Sequence, residues 1–325
     1  LTGRLVRHRI AADRLLLLAR GSTNEIAGGK IMAFKYPEFL AETDWLADHL
    51  NDSDLRVLDC TAFNRPDGSG GIRAESGRES WAMEHIPGSG HADLVNDLSD
   101  NDAHFRYMLP QVPQLAQAFS SYGVGAGTRV VLYDSTTGSW ATRIWWMLRA
   151  FGFDDAYILN GGLHKWKLEG RPVNSDPSTY PPAIFLAKRR AGLMADKDEV
   201  LAALDNGSTC VLNALSEEQH LGSGGANYGR AGRIANSVNV PAADLTDPVT
   251  HAYLPAERLA ERFAQVGADR AERVITYCGG GIAASNDAFI LTLLGYENVA
   301  VYDASMSEWA ADPSLSMQTG PMPTR

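Results

Sequence analysis

The stretch ITYCGGGIAAS, residues 275–285, combines one nucleophilic side chain with three consecutive glycines. Cys278 ends a short apolar run, and Gly279, Gly280 and Gly281 separate it from a segment with helical spacing. Glycines allow the backbone to curl so that successive N–H groups face one point, where the dipole of the following helix adds to them. Such a loop attracts anions and favours the thiolate form of a cysteine. We therefore predict that Cys278 is a nucleophile and not a buried structural thiol.

Three reactions fit a cysteine in an anion-binding loop. A phosphatase of the C-x5-R type needs an arginine six positions after the cysteine, and Ala284 stands there. A cysteine hydrolase needs a base, and nothing in the sequence directs His220 or His251 towards Cys278. Attack on a sulfane sulfur needs no base: the thiolate takes one sulfur atom, an anion leaves, and a second nucleophile removes the outer sulfur.

The segments around this loop predict how it is positioned. RVITY, residues 273–277, is typical of a buried strand, and residues 282–295 place most of their apolar side chains on one helical face. Strands alternate with helices in the same way along both halves of the chain. This alternation predicts an α/β fold in which each mainly parallel sheet is flanked by helices on both faces. In such sheets, functional residues lie where strands end and helices begin.

The chain repeats itself at a long interval. FGFDDAYILNGGLHKW at residues 151–166 aligns with LGYENVAVYDASMSEW at residues 294–309, at a shift of 143 residues. Upstream, RVVLYD at residues 129–134 aligns with RVITYC at residues 273–278. A period of this length predicts two homologous domains and excludes a short-repeat solenoid.

The Pro-rich stretch between the two copies sets the predicted domain boundaries. We predict a first domain at residues 32–173, a linker at residues 174–191 and a second domain at residues 192–325. Residues 1–31 are rich in Arg and poor in acidic residues, and their apolar stretch is too short for a typical secretory core. We predict that they form a non-native or disordered extension.

Composition excludes several classes of protein. The net charge of −10 argues against nucleic acid and anionic membranes as main partners, and no apolar run is long enough to span a bilayer. Cys60, Cys210 and Cys278 are too few and too scattered for a disulfide framework, and no CxxC pair suggests a metal site. We expect a cytoplasmic protein with no metal and no organic cofactor.

The glycine-rich loop resembles the active loop of a known family. Residues 278–283 fit the C-x-x-G-x-[AST] pattern of the rhodanese family. EHIPGS at residues 84–89 is similar to the family's G-H-I-P-G signature, and GRIANSVNVP at residues 232–241 is a looser form of it. YDASMSEWAADPSLSM at residues 302–317 resembles the usual family ending. The resemblance covers about residues 38–316 and points to the tandem-domain sulfurtransferases.

The resemblance implies a silent first domain and a catalytic second domain. Asp134 stands at the position that matches Cys278, and a carboxylate cannot carry a persulfide. We expect Asp134 to shape its own loop. In the second domain, the resemblance implies that a persulfide on Cys278 is held by the backbone N–H groups of Gly279, Gly280, Gly281, Ile282, Ala283 and Ala284.

The resemblance also implies cations for an anionic substrate. Arg230 and Arg233 match the region where relatives place a substrate-binding arginine. A second family arginine is replaced by Leu215. Arg143 follows the first-domain loop, where we expect it to pack its helix. Cys60 and Cys210 are expected to be structural thiols.

We expect a sulfurtransferase that uses thiosulfate as donor and cyanide or a thiol as acceptor, with no nucleic acid or membrane as partner. The neutral loop residues Gly279 to Gly281 are similar to those of mercaptopyruvate-type relatives, so 3-mercaptopyruvate is the alternative donor. A non-catalytic sulfur carrier or binding module and a phosphatase-like enzyme remain as alternatives of other classes.

Overall fold

The structure is a computed structural model that describes residues 32–68, 72–226 and 228–321. The predicted extension at residues 1–31 lies outside the described residues. Among the residues described, no helix is long and apolar enough to cross a membrane.

The first half of the chain forms a five-stranded parallel sheet and a separate hairpin. Its strands are β1 (Leu40–Ala41), β2 (Leu55–Asp59), β3 (Ala62–Pro66), β4 (Ile72–Ser76), β5 (Gly90–His91), β6 (Arg129–Tyr133) and β7 (Ala156–Leu159). Its helices are α1 (Thr43–His49), α2 (Arg78–Met83), α3 (Val112–Ser121), α4 (Ser139–Ala150) and α5 (Gly162–Leu168). The sheet order is β1-β7-β6-β2-β5, and β3 pairs with β4 as an antiparallel hairpin beside it.

The second half repeats this sheet. Its strands are β8 (Met194–Ala195), β9 (Thr209–Asn213), β10 (Arg233–Ile234), β11 (Val238–Asn239), β12 (Arg273–Tyr277), β13 (Val299–Tyr302) and β14 (Met317–Gln318). Its helices are α6 (Lys197–Ala203), α7 (Glu217–Leu221), α8 (Ala256–Gln265), α9 (Ile282–Leu294) and α10 (Ser305–Trp309). The parallel sheet runs β8-β13-β12-β9-β11, and β10 pairs with β14 beside it.

The two sheets are equivalent strand by strand. β6 lies between β7 and β2 in the first sheet, as β12 lies between β13 and β9 in the second. The central strands are short runs of buried apolar residues because helices cover both faces of each sheet. The predicted fold class is therefore confirmed. Residues 175–192 contain neither helix nor strand, and the exact domain boundaries remain a prediction.

Helices α4 and α9 join the two halves. Each follows a central strand, and each is buried along almost its whole length because it packs against the other helix as well as against its own sheet. Trp145 of α4 meets Phe289 of α9 edge to face, with ring centroids 4.8 Å apart. One apolar core therefore continues from the first sheet to the second. The N-termini of α4 and α9, where the two glycine-containing loops lie, are fixed by this packing.

Candidate active site

Cys278 directly follows β12 and lies at the carboxyl edge of the second sheet, as predicted. Its side chain is buried, with 3% of its surface exposed. The Cys278 N–H donates to Ser305 Oγ at 3.1 Å, and its carbonyl accepts from the Met306 N–H at 3.0 Å. The Gly279 carbonyl accepts from the N–H and the hydroxyl of Ser307 at 3.0 and 2.7 Å. The first residues of α10 therefore bind the carbonyls of Cys278 and Gly279, on the side of the loop that carries its carbonyl groups.

The N–H groups of the loop are left available by this arrangement. From Gly279 to Ala284, no N–H has a hydrogen-bond acceptor among the described residues, and the first is that of Ser285, which donates to the Gly281 carbonyl at 3.3 Å. Gly281 precedes α9 with a φ of 80°, a conformation that a residue with a side chain rarely adopts. The result is an open ring of N–H donors at a helix N-terminus, the arrangement that stabilises an anion.

Tyr228 explains why the residue after the cysteine is a glycine. A Cβ atom added at Gly279 would lie 2.1 Å from the phenol carbon and oxygen of Tyr228. Burial raises the pKa of Tyr228 to about 12, and the nearby Cys278 contributes to the rise. The neutral Tyr228 hydroxyl can donate a hydrogen bond near Cys278.

A cavity of about 260 Å³ opens in front of Cys278 between the two halves of the chain. The second half contributes the cysteine loop, Leu215 and Tyr228, and the first half contributes Asn64 and Ile72 of the β3–β4 hairpin with Arg106 and Tyr107. The volume suits a substrate of few atoms. No histidine lines this cavity among the residues that the structure describes.

Arg106 supplies the positive charge of the cavity and was not predicted. Among the described lining residues it is the one cation, and it makes no ion pair or side-chain hydrogen bond with any described residue. Its charge acts on the hydroxyls of Tyr107 and Tyr228, where it opposes the rise in pKa that burial causes. HFRYM, residues 104–108, carries Arg106 between aromatic residues, but nothing in this stretch indicates that it reaches the other domain.

A buried ion pair holds the segment that carries Arg106. Arg143 of α4 pairs with Asp303 at 2.5 Å and donates to the Tyr107 carbonyl at 2.8 Å. The second carboxylate oxygen of Asp303 accepts from the Leu109 N–H at 2.9 Å. Arg143 thus positions the Arg106 segment against the second domain, in addition to packing its helix as expected.

The structure places the predicted substrate-binding residues Arg230 and Arg233 away from the cavity of Cys278. The Arg230 guanidinium donates to four backbone carbonyls, those of Trp309, Ala310, Asp312 and Leu315, at 2.6 to 3.0 Å. Arg233 is 1% exposed and donates to the carbonyls of His220 and Gly320. Neither residue lines the cavity of Cys278. Their guanidinium groups bind backbone carbonyls, most of them in the C-terminal segment between residues 309 and 320.

The two histidines considered from the sequence lie elsewhere. His220 hydrogen-bonds Asn213 at 3.1 Å, and burial lowers its pKa to about 4. His251 Nδ1 lies 2.8 Å from the Thr136 carbonyl, in the first-domain loop. Within the described ranges, no group of three or more His, Cys, Asp and Glu side chains is arranged to hold a metal ion.

Asp134 occupies the place of Cys278 in the first domain, as the repeat predicts. Its carboxylate accepts from the N–H groups of Thr136, Gly138, Trp140 and Ala141 at 2.8 to 3.1 Å. Gly138 precedes α4 with a φ of 85°, as Gly281 precedes α9. The first-domain ring of N–H donors is therefore filled by a carboxylate of its own chain.

Comparisons with known proteins agree with this architecture. The model of the rhodanese-like domain family matches residues 42–169 and 196–312. A probable 3-mercaptopyruvate sulfurtransferase of Pseudomonas aeruginosa is 33% identical over 85% of this chain and 96% of the relative. A thiosulfate sulfurtransferase of Rattus norvegicus is 32% identical over 86% of this chain and 95% of the relative.

A solved structure adds the fold to this agreement. A 3-mercaptopyruvate sulfotransferase of Escherichia coli with the rhodanese fold, SseA, matches with a TM-score of 0.72 and 26% identity, over 83% of this chain and 99% of the other. The predicted tandem fold and the predicted enzyme class are confirmed by these relatives. The chain belongs to the rhodanese family of sulfurtransferases.

Proposed function

We propose that Cys278 carries a persulfide while the protein moves one sulfur atom from a small anionic donor to a thiophilic acceptor. The observation that supports this most directly is the run of N–H groups from Gly279 to Ala284, which have no acceptor among the described residues, beside a cysteine that lines a small cavity. A persulfide anion and a leaving anion both gain stability from such donors, which need no reorganisation during the reaction.

The first half-reaction forms the persulfide. The Cys278 thiolate attacks the sulfur that is to be transferred, which is the outer sulfur of thiosulfate or the thiol sulfur of 3-mercaptopyruvate. A new S–S bond forms while the bond between that sulfur and the rest of the donor breaks. With thiosulfate, the bonding pair leaves on sulfite. With 3-mercaptopyruvate, the C–S bond breaks, its electron pair remains on carbon as an enolate, and the thiol proton of the donor converts that enolate to pyruvate.

The second half-reaction regenerates the thiolate. Cyanide or an acceptor thiolate attacks the outer sulfur of the persulfide, and the electron pair of the S–S bond returns to Cys278 Sγ. The proton of an acceptor thiol passes to water. Oxidation states balance over both steps, so the proposed cycle needs no further oxidant or reductant.

Arg106 and Leu215 favour 3-mercaptopyruvate over thiosulfate as the donor. One arginine among the described lining residues matches a single carboxylate, whereas a thiosulfate dianion would leave the second charge to neutral groups. Ile72, Leu215 and Ile282 present apolar surface to a donor with a carbon skeleton. On this ground we propose 3-mercaptopyruvate as the first candidate donor, and thiosulfate, the donor expected from the sequence, as the second.

Intact-mass spectrometry with each donor in turn tests this proposal. We expect one added sulfur atom on the native protein, removed by cyanide, absent from Cys278→Ser and still present in the matched control Cys210→Ser. We expect faster loading from 3-mercaptopyruvate than from thiosulfate. An adduct that survives in Cys278→Ser, or no adduct with either donor, would overturn the proposal. Loading followed by slow release to every acceptor would favour a sulfur carrier.

We further propose a reducing compartment such as the cytoplasm, since Cys60, Cys210 and Cys278 are all free thiols.

A further inference from the structure

Two tyrosines line the cavity of Cys278, and their hydroxyls differ in what they bind. The Tyr107 hydroxyl donates to the side-chain oxygen of Asn64 at 2.8 Å, so its proton is occupied. The Tyr228 hydroxyl donates to no acceptor among the described residues. Gln219 is its hydrogen-bond partner there, and this bond lowers the pKa of the tyrosine, as a bond received by the phenol oxygen does. The Tyr228 proton is therefore available to a ligand in the cavity.

The segment that carries Tyr228 is bound on both sides. Upstream, Gln219 Nε2 donates to the Ala226 carbonyl at 2.8 Å. Downstream, the Arg230 guanidinium binds four backbone carbonyls of the C-terminal segment. The ring itself lies against Gly279, where an added Cβ would be 2.1 Å from the phenol oxygen. The hydroxyl is thus held beside the residue that follows the nucleophile, and it needs no reorganisation when a substrate binds.

The smaller hydroxyls of the cavity are less suitable as donors to a substrate. Ser307 Oγ donates to the Gly279 carbonyl at 2.7 Å, so its proton is occupied as well. Thr137 and Ser139 line the cavity from the first domain, whereas Tyr228 lies against the cysteine loop itself. Tyr228 therefore combines an available proton with a position beside the nucleophile.

A keto acid donor develops a new negative charge during the reaction. When the C–S bond of 3-mercaptopyruvate breaks, its electron pair moves towards the carbonyl group, and the keto oxygen becomes an enolate oxyanion. The N–H groups of residues 279–284 stand beside the sulfur of Cys278, and Arg106 offers its charge to the carboxylate. The keto carbon joins the carboxylate to the carbon that carries the sulfur. The keto oxygen therefore falls between these two sites and needs a donor of its own.

We propose that Tyr228 is a catalytic residue for keto acid donors: its hydroxyl donates a hydrogen bond to the keto oxygen, and this bond strengthens as the enolate forms. The inference rests on the proposed function, in which 3-mercaptopyruvate gives its sulfur to Cys278. Tyr228 keeps its proton, and the thiol proton of the donor still ends on the methyl group of pyruvate. The oxygens of thiosulfate carry negative charge before the reaction begins, so a bond to them gains less in the transition state.

Single-turnover loading of Cys278, followed by intact-mass spectrometry, compares the two donors in Tyr228→Phe. This variant keeps the ring against Gly279 and removes the hydroxyl alone. We expect the loading rate at saturating 3-mercaptopyruvate to fall about 100-fold or more, the usual loss for one oxyanion donor, and the rate with thiosulfate to fall less than about fivefold. Equal losses with the two donors, or an unchanged rate with 3-mercaptopyruvate, would overturn the proposal.

Tyr107→Phe is the matched control in the same cavity. Its hydroxyl serves Asn64, so we expect its loss to change loading from the two donors by similar factors. A loss confined to 3-mercaptopyruvate, as large as that of Tyr228→Phe, would assign the keto oxygen to Tyr107 and contradict the proposal. A native chain that takes sulfur from thiosulfate alone would also overturn it while leaving the persulfide of Cys278 intact, so the two failures are distinguishable.

Oxalate binding in a Cys278→Ser background measures the same contact without sulfur chemistry. Oxalate resembles the enolate of pyruvate in shape and charge, because an oxygen of its second carboxylate stands where the enolate oxygen would be. We expect titration calorimetry to show at least about tenfold weaker binding when Tyr228→Phe is added to this background, since one hydrogen bond to a charged group is lost. An unchanged affinity for oxalate would refute the contact between Tyr228 and the keto oxygen.

Discussion

The loop after Tyr133 and the loop after Tyr277 are equivalent in the two domains and differ in the side chain that stands at the end of the strand. In the first, the Asp134 carboxylate accepts four N–H bonds from its own loop and from α4. In the second, the Cys278 thiol stands at the strand end, and the N–H groups of residues 279–284 have no acceptor among the described residues. The first loop demonstrates within this molecule that the ring of donors binds an anion. In the function proposed above, the second loop leaves that place to the persulfide of Cys278.

This difference indicates that the first loop serves the stability of the fold and the second loop serves the reaction. A built-in carboxylate satisfies buried donors permanently, so the first loop contributes to the fold. Open donors next to Cys278 contribute less to the fold and can stabilise a transition state. Four substitutions test this contrast, and they follow in order of decreasing expected effect.

Cys278→Asp gives the second loop the side chain of the first. We expect sulfur transfer to fall to background, because a carboxylate forms no persulfide and closes the ring of N–H donors. The thermal midpoint should be no lower than that of Cys278→Ser, since the new acceptor satisfies donors that serine leaves open. Calorimetry and a sulfur-transfer assay on both variants measure this. A midpoint several degrees below that of Cys278→Ser would show that the two loops are not equivalent.

Asp134→Ala opens the first loop. Four N–H groups lose their acceptor, so we expect the free energy of unfolding to drop by about 2–4 kcal/mol, with about 1–3 kcal/mol for each unsatisfied buried group partly offset by water. Turnover per folded molecule should change by less than about twofold, because Asp134 lies outside the cavity of Cys278. Urea unfolding and kinetics at low temperature separate the two effects. Asp134→Asn, which keeps one acceptor oxygen, should lose less stability.

Gly279→Ala tests the requirement for a glycine beside the nucleophile. The added methyl group would overlap the Tyr228 ring, so the ring or the loop must move. We expect kcat/KM to fall about 100-fold, the usual cost of a displacement near 1 Å at a reacting centre. The first-domain counterpart already carries a side chain, Ser135, and Ser135→Gly should leave kcat/KM unchanged. Equal effects of the two substitutions would remove the distinction between the loops.

Arg106→Ala tests the cation that the first domain contributes to the cavity of Cys278. We expect KM for an anionic donor to rise about tenfold to 100-fold, because one charged hydrogen bond contributes about 1.5–3 kcal/mol. Stability should change little, since Arg106 has no ion pair or side-chain hydrogen bond to the described residues. Arg230→Ala is the opposite case: it should lower the melting temperature, because four carbonyls lose their donor, with a smaller change in KM. Steady-state kinetics and thermal unfolding of both variants give the comparison.

Local sequence patterns were sufficient to predict the fold and the position of the cysteine loop. The alternation of short apolar runs with helical segments predicted parallel sheets covered on both faces, since each element must bury its own apolar side. The repeat located Asp134 opposite Cys278, and the glycines after Cys278 predicted an open loop at a helix N-terminus. These features depend on residues close together in the chain, which the sequence displays directly.

The surroundings of Cys278 could not be predicted in this way. Their place upstream of a strand favours Arg230 and Arg233 as cations for the substrate, whereas the fold turns both towards carbonyls of the C-terminal segment. No local pattern indicates Tyr228 in the same stretch, because a tyrosine in a loop has no spacing that predicts contact with a distant glycine. Leu215, which stands in place of a cation, does line the cavity.

The sequence by itself determined the α/β fold class and the position of the glycine loop between a strand and a helix, because Cys278, the glycines and the helix start are contiguous. Tertiary structure alone decided which cation lines the cavity of Cys278. Arg106 lines this cavity because α4 and α9 pack together and because Arg143 binds both Asp303 and the Tyr107 carbonyl. Contacts between residues this far apart in the chain are set by the packing of whole domains, and no local pattern encodes them.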